Sequence, residues 1–335
     1  SRPAQPGEDR LTNILSCRTV REGSLWLSGT RSAHSLMPRA VTHDERQTGD
    51  MLTPFPDGRG PIAAGCRHSI GRNIDGTVLT AGNGAAGECS VAGWSDVVAV
   101  AVGNVHAFSN TGKSHTLGLR ADGTVLATGW NTHGQCNVGD WANVRAIAAG
   151  WRFSLGVTAD GHVVATGRAA EGQIAVDEWE QVRSVACGDW HSLGLQAAGR
   201  VLAAGNNRAG QLNVHAWQDV VQVAAGYQHS LGLTADGRVI AAGAKASGVR
   251  EVTAWDSIAQ VAAGSHHSVG LARTGTVAAA GSNAYGQCNT QEWRDIVAVA
   301  AGAQHTLGLR ADGTVLATGA NDHGQGDVHG WAELA

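Results

Sequence analysis

The sequence predicts an all-β fold, a seven-bladed β-propeller of 38-residue units, and three observations carry that prediction. Trp141, Trp179, Trp217, Trp255, Trp293 and Trp331 stand 38 residues apart, with Trp94 47 residues before the first of them. Asp75-Gly76, Asp122-Gly123, Asp160-Gly161, Asp236-Gly237 and Asp312-Gly313 recur between alternating apolar runs, with Ala198-Gly199 and Thr274-Gly275 as weaker versions. All six prolines lie within the first 61 residues, so none interrupts a strand ladder beyond that point.

Each unit reads as strands throughout. In the last one, IVAVAAG is followed by two variable residues, then HTLGLR, a turn, TVLATG, a polar loop and a stretch ending on Trp331. Asp-Gly between apolar runs signals a tight hairpin, expected here as a type I′ turn with both central residues at positive φ. Four passes of about five residues leave about four or five per connection and no room for a helix. Seven small antiparallel sheets in tandem make a propeller. The nine-residue surplus falls in the second unit, at Asn104–Gly112, and seven units with this insertion account for Pro61 to Ala335. The last unit lacks the apolar strand that should follow Trp331, while the first begins with one, PIAAG at Pro61–Gly65. This N-terminal strand is expected to complete the last blade and close the ring, where a linear solenoid would need caps. Residues 1–60 form an N-terminal extension, expected to be poorly ordered or the remnant of another domain.

Composition narrows the function. Forty-seven glycines without a Gly-X-Y period exclude collagen, and 43% hydrophobic with 16% charged residues suits a folded chain. The net charge is −4, and the repeats carry 16 Lys and Arg against 21 Asp and Glu, which argues against a nucleic-acid partner. No apolar run is long enough for a membrane helix, so no membrane association is expected. His68, His115, His191, His229, His267 and His305 open one strand in six units, and Phe153 replaces them in the seventh. A metal-ligand set would not accept Phe, so these are expected to be structural, with no metal and no cofactor. Cys89, Cys136 and Cys288 share one repeat position and read as small hydrophobes, not a disulfide framework. Unpaired thiols suit the cytoplasm, with secretion left open because the chain starts at Ser1; a monomer is expected. No catalytic constellation stands out, since the glycine-rich loops open no helix that could cradle a phosphate.

The line running Trp-x-Asp, Val-Ala-Val-Ala-Ala-Gly-x-x-His, Gly-Leu-x-x-Asp-Gly-Thr-Val resembles the repeat of the regulator of chromosome condensation family, over all seven units. The short, regular unit is more similar to compact bacterial members such as β-lactamase inhibitor protein II. The resemblance implies a propeller that binds a protein partner with loops on one face.

Strand parity indicates the face. If the first apolar strand runs upward, the Gly-x-x-His loop and the Gly-x-Asn-x-x-Gly-Gln loop lie at the top, and the Asp-Gly turn and Trp-x-Asp corner at the bottom. Bottom positions repeat nearly unchanged from unit to unit, while top positions vary. The first top loops offer Arg67, Trp151, Arg152, Asp189, Trp190, Tyr227, Gln228 and His266. The second set adds Trp130, Arg168 and Tyr285, together with His133, Arg208, Lys245 and His323, and the insertion adds Phe108. Exposed Trp, Tyr and Arg are the types enriched at interface hot spots. The expected function is therefore non-enzymatic protein binding, as an inhibitor or scaffold; the alternative is an enzyme or small-ligand binder using an axial pocket on the same face.

Overall fold

The computed structural model describes residues 60–103, 112–245 and 248–334. The expected extension before Gly60 and Phe108 of the insertion lie outside the described residues. Among the described residues, twenty-one strands, β1–β21 in chain order, form seven antiparallel sheets of three consecutive strands each. In the second sheet these are β4 (Val97–Val102), β5 (His115–Arg120) and β6 (Val125–Gly129). The middle strand is buried along His-Thr-Leu-Gly-Leu because neighbours cover both of its faces. Such burial explains why the central strands read as unbroken runs instead of alternating ones.

Two local expectations change. The fourth pass is not a strand but a chain of tight turns: Ser90 N donates to Gly87 O, Val91 N to Cys89 O and Trp94 N to Val91 O, all at 2.9 Å. The hairpins are also not type I′. Only the glycine takes positive φ, between 76° and 88° across the seven turns, and Gly76 N closes the turn on Asn73 O at 3.0 Å. This is a type I turn followed by a left-handed glycine, a three-residue loop with a bulge. The aspartate serves through its side chain, with Asp75 Oδ1 accepting from Thr77 N at 2.9 Å and from Thr77 Oγ1 at 2.6 Å.

The periodic tryptophans join each unit to the next sheet. A β-carbon on Gly194 would lie 2.6 Å from Trp179 Cε3, and the same contact recurs from Trp94 to Gly118 and from Trp331 back to Gly71. Glycine in the middle strand is thus the slot into which the indole packs. The first sheet contains β1 (Ile62–Ala64), β2 (His68–Arg72) and β3 (Val78–Gly82). Here the sequence expectation is corrected: β1 pairs within its own first sheet and does not complete the last blade, because β2 follows it after three residues and offers the nearest ladder. The C-terminus comes to that sheet instead, with Leu334 bridging Asn73 and Ile74 N donating to Glu333 O at 3.0 Å. First and last sheets also touch along their rims, where Ala303 N donates to Gly65 O at 3.0 Å.

The six histidines hold neighbouring blades together. Nε2 of His68, His115, His191, His229, His267 and His305 lies 2.9–3.1 Å from the hydroxyl of Thr116, Ser154, Ser230, Ser268, Thr306 and Ser69 respectively. Each hydroxyl donates its one proton to a backbone carbonyl, as Ser230 does to Gln211 O at 2.8 Å. It must therefore accept from the imidazole, which fixes the Nε2–H tautomer. Burial drives these histidines toward the neutral form, down to about 3 for His115, His229 and His305 and about 4 for His68, His191 and His267.

Candidate functional site

The two loop sets that parity places on one face do meet. Arg152, from the first loop of the third unit, stacks 4.7 Å from the ring of Trp130, which belongs to the second loop of the unit before. Its Nη1 donates to Nε2 of His133 on that same loop at 3.2 Å. Arg168, from the next second loop, lies 5.3 Å from the ring of Trp151. The Asp-Gly turns and the Trp-x-Asp corners share the opposite ends of the strands, with Gly76 packed against the backbone of Asp96.

The aromatic residues form an arc instead of folding over separate blades. Ring centroids run 6.0 Å from Trp151 to Trp190, 5.1 Å from Trp190 to Tyr227 and 5.4 Å from Tyr227 to His266, each pair edge-on. Edge-to-face pairs at these separations add about 0.5–1.5 kcal/mol beyond area burial and hold the rings in place. All four side chains are half-buried, so each keeps a solvent-facing part. Trp151 also packs against the buried pair Cys66 and Ala303, which come from the first and last units. Burial pushes the Cys66 thiol up to about 11.

Other expected contact residues are placed differently. Asp189 is wholly buried, so it is not a surface contact. Its backbone N leans on Gly226 O of the next blade at 3.4 Å, and its charge helps raise both Cys66 and Tyr227, which sets it beneath the arc. Arg67 lies over Gly112, where a β-carbon would strike its guanidinium. Gln228 is half-buried at the foot of the arc, and Tyr285, half exposed, makes no ring contact with it. Arg168 is neutralised by Glu171, with Nη2 to Oε1 at 2.6 Å and Nε to Oε2 at 3.0 Å.

One hollow adjoins these residues and another runs along the axis. A cleft of about 480 Å³ is lined by Trp190, Glu171 and Asn206–Arg208. The axial channel, about 220 Å³, is walled by alanine, valine and isoleucine of the inner strands with Cys187 among them. Among the described residues no group of three or more His, Cys, Asp or Glu is arranged to hold a metal ion.

Comparison with known proteins agrees with this architecture. The model of the regulator of chromosome condensation (RCC1) repeat matches residues 110–135, 144–173, 182–211, 220–248, 258–287 and 296–325. The chain belongs to the RCC1 repeat family. Among solved structures it is similar to Prp20p of Saccharomyces cerevisiae, studied for binding Gsp1p and histones, at 21% identity and TM-score 0.55 over 71% of this chain and 76% of that one. Yeast RCC1 (Prp20) bound to Kap60 gives 18% identity and TM-score 0.58 over 91% and 90%. The ectodomain of the Physcomitrella patens receptor kinase CR4 gives 15% and 0.63 over 78% and 72%. No curated protein sequence matches. These likenesses concern the RCC1 fold; none carries over a partner.

Sequence reading missed two features. A hydroxyl residue directly follows the histidine in six units and Phe153 in the third, so the His-Ser and His-Thr pairs were a legible signal. The left-handed backbone of Arg152, at φ 69°, left none, since arginine rarely adopts it.

Proposed function

We propose that this RCC1-repeat propeller is a non-enzymatic protein-binding module that engages its partner through the variable loop face, anchored on Trp151, Trp190 and Tyr227. The observation that carries this reading is the contiguous arc of half-buried rings spanning four consecutive units. Pre-ordered Trp and Tyr present large contact area at small entropic cost, as hot spots do. The walls of the axial channel are small and apolar apart from the Cys187 thiol, which burial keeps protonated, and this weighs against the enzyme reading. Within the family resemblance the inhibitor version concerns a β-lactamase, and a direct inhibition assay decides between it and a scaffold.

The test is capture of partners from the source organism by the wild type beside Trp190→Ala/Tyr227→Ala. Trp151 is spared because it also packs on Cys66 and Ala303. Partners should be lost by the variant at unchanged melting temperature. Equal capture by both proteins would place binding elsewhere on the molecule.

A further inference from the structure

Arg152 is where the loop face departs furthest from the repeat. At φ 69° it is, among the described residues, the one non-glycine residue of left-handed backbone outside the seven corner positions, which lie at φ 54–63°. The corners serve the same chain reversal in every unit, whereas no other Gly-x-x loop uses this conformation. A side chain there crowds its own backbone, and such strain persists where the surroundings over-determine it.

What the strain achieves is placement. The guanidinium carbon sits 4.0 Å from the ring of Trp151 and 4.7 Å from that of Trp130, and Nη1 donates to His133 at 3.2 Å. Two aromatic rings and a neutral imidazole orient a planar cation without neutralising it. Glu171, on the adjoining loop, is already engaged by both nitrogens of Arg168. Among the described residues no carboxylate forms an ion pair with Arg152. Burial first, then the nearby Arg168, work against its charge, and the Glu171 carboxylate offsets them only in part. A fixed, half-buried guanidinium with no carboxylate bonded to its fork matches one group best, a carboxylate received there.

The charge distribution agrees. The two loop sets carry six Lys and Arg against four Asp and Glu, of which Glu88 and Asp189 are buried; the rest of the repeats carries ten against seventeen. The loop face is thus the less acidic side of an acidic protein, favouring an acidic contact over a basic one. A phosphate backbone would need a row of unpaired cations, and Arg168 is spoken for.

We infer that Arg152, held between Trp130 and Trp151, receives an aspartate or glutamate side chain of the protein partner, while the aromatic arc covers the residues beside it. This rests on the proposed binding role of the loop face.

The test uses a phage-displayed library of disulfide-constrained peptides of unbiased sequence, selected on the full chain. Peptides whose binding is lost with Trp190→Ala are expected to share an Asp or Glu. Changing that residue to Asn or Gln should weaken binding at least about tenfold, Arg152→Gln should do the same, and the two changes together should do little more than either. Melting temperature and circular dichroism of Arg152→Gln verify folding, and Arg152→Lys, which keeps charge without the fork, should fall between. Trp190-dependent peptides with no shared acid, or with an acid indifferent to Arg152→Gln, overturn the inference and leave the binding face standing. A selection yielding no Trp190-dependent peptide overturns both.

Discussion

In six blades the loop between inner and middle strands ends on a buried histidine that hydrogen-bonds the next blade; in the third it ends on Phe153. Phe153 occupies the same place, its ring against Gly150 as the ring of His115 lies against Gly103, but it donates nothing. Ser192, which would receive that bond, instead donates to Gln173 O at 2.7 Å and contacts the buried Cys187 thiol across its own sheet. The two residues before Phe153 are Trp151, which packs on residues of two other blades, and Arg152, whose backbone is left-handed. Three consecutive residues thus break the repeat together. Elsewhere propensity, pattern and packing agree, and a local break in that agreement is where function is expected to reside.

The largest effect separating the two kinds of blade concerns acid. An unfolded histidine titrates near 6.5, while the six belt histidines are held at about 3 to 4 by burial. Below about pH 6.5 the unfolded chain therefore binds more protons, so stability is full above that pH and is lost as pH falls toward 4. At about 1.4 kcal/mol per pH unit for each histidine, six together cost several kcal/mol per unit. Tryptophan fluorescence should report a steep unfolding transition between about pH 6 and pH 4. A protein still folded at pH 3 would show that the belt tolerates charge.

A smaller effect compares two serines. Ser230→Ala strands the Nε2–H of His191 in the core and should destabilise by about 2–3 kcal/mol. Ser192→Ala loses its bond to Gln173 O and its weak contact with the Cys187 thiol but strands no imidazole N–H, and should cost about 1 kcal/mol. Urea denaturation of both variants measures the difference. Equal losses would mean that the histidine link contributes nothing beyond the serine's own bond.

The repeat itself was legible because it is written seven times: Trp spacing, Asp-Gly pairs and the absence of proline after Pro61 each follow from one blade's needs. Turn geometry was less so, since Asp75-Gly76 suits both a type I′ turn and the bulged turn found, and the choice depends on the residue before it. The aromatic arc could be placed by parity because Trp151, Trp190 and Tyr227 occupy the two variable positions of the same loop in successive units. Asp189 could not, because the same loop position is exposed in one unit and covered in another by its neighbours' rings. That depends on contacts between blades, which a single unit's sequence does not encode.

The smallest effect tests whether Arg152 is held by its surroundings. Gln181, a corner residue at φ 55°, is exposed, so Gln181→Gly trades strain relief against unfolded-state entropy and should stabilise by about 0.5 kcal/mol. Arg152→Gly relieves the same strain but removes two ring contacts, each worth about 0.5–1 kcal/mol, and the hydrogen bond to His133. It should therefore destabilise by about 0.5–1.5 kcal/mol, the opposite sign from the corner. Urea titrations of the two variants resolve that difference of sign. If Arg152→Gly stabilised as much as Gln181→Gly, the rings would not be holding the guanidinium, and a site pre-formed for a carboxylate would lose its physical basis.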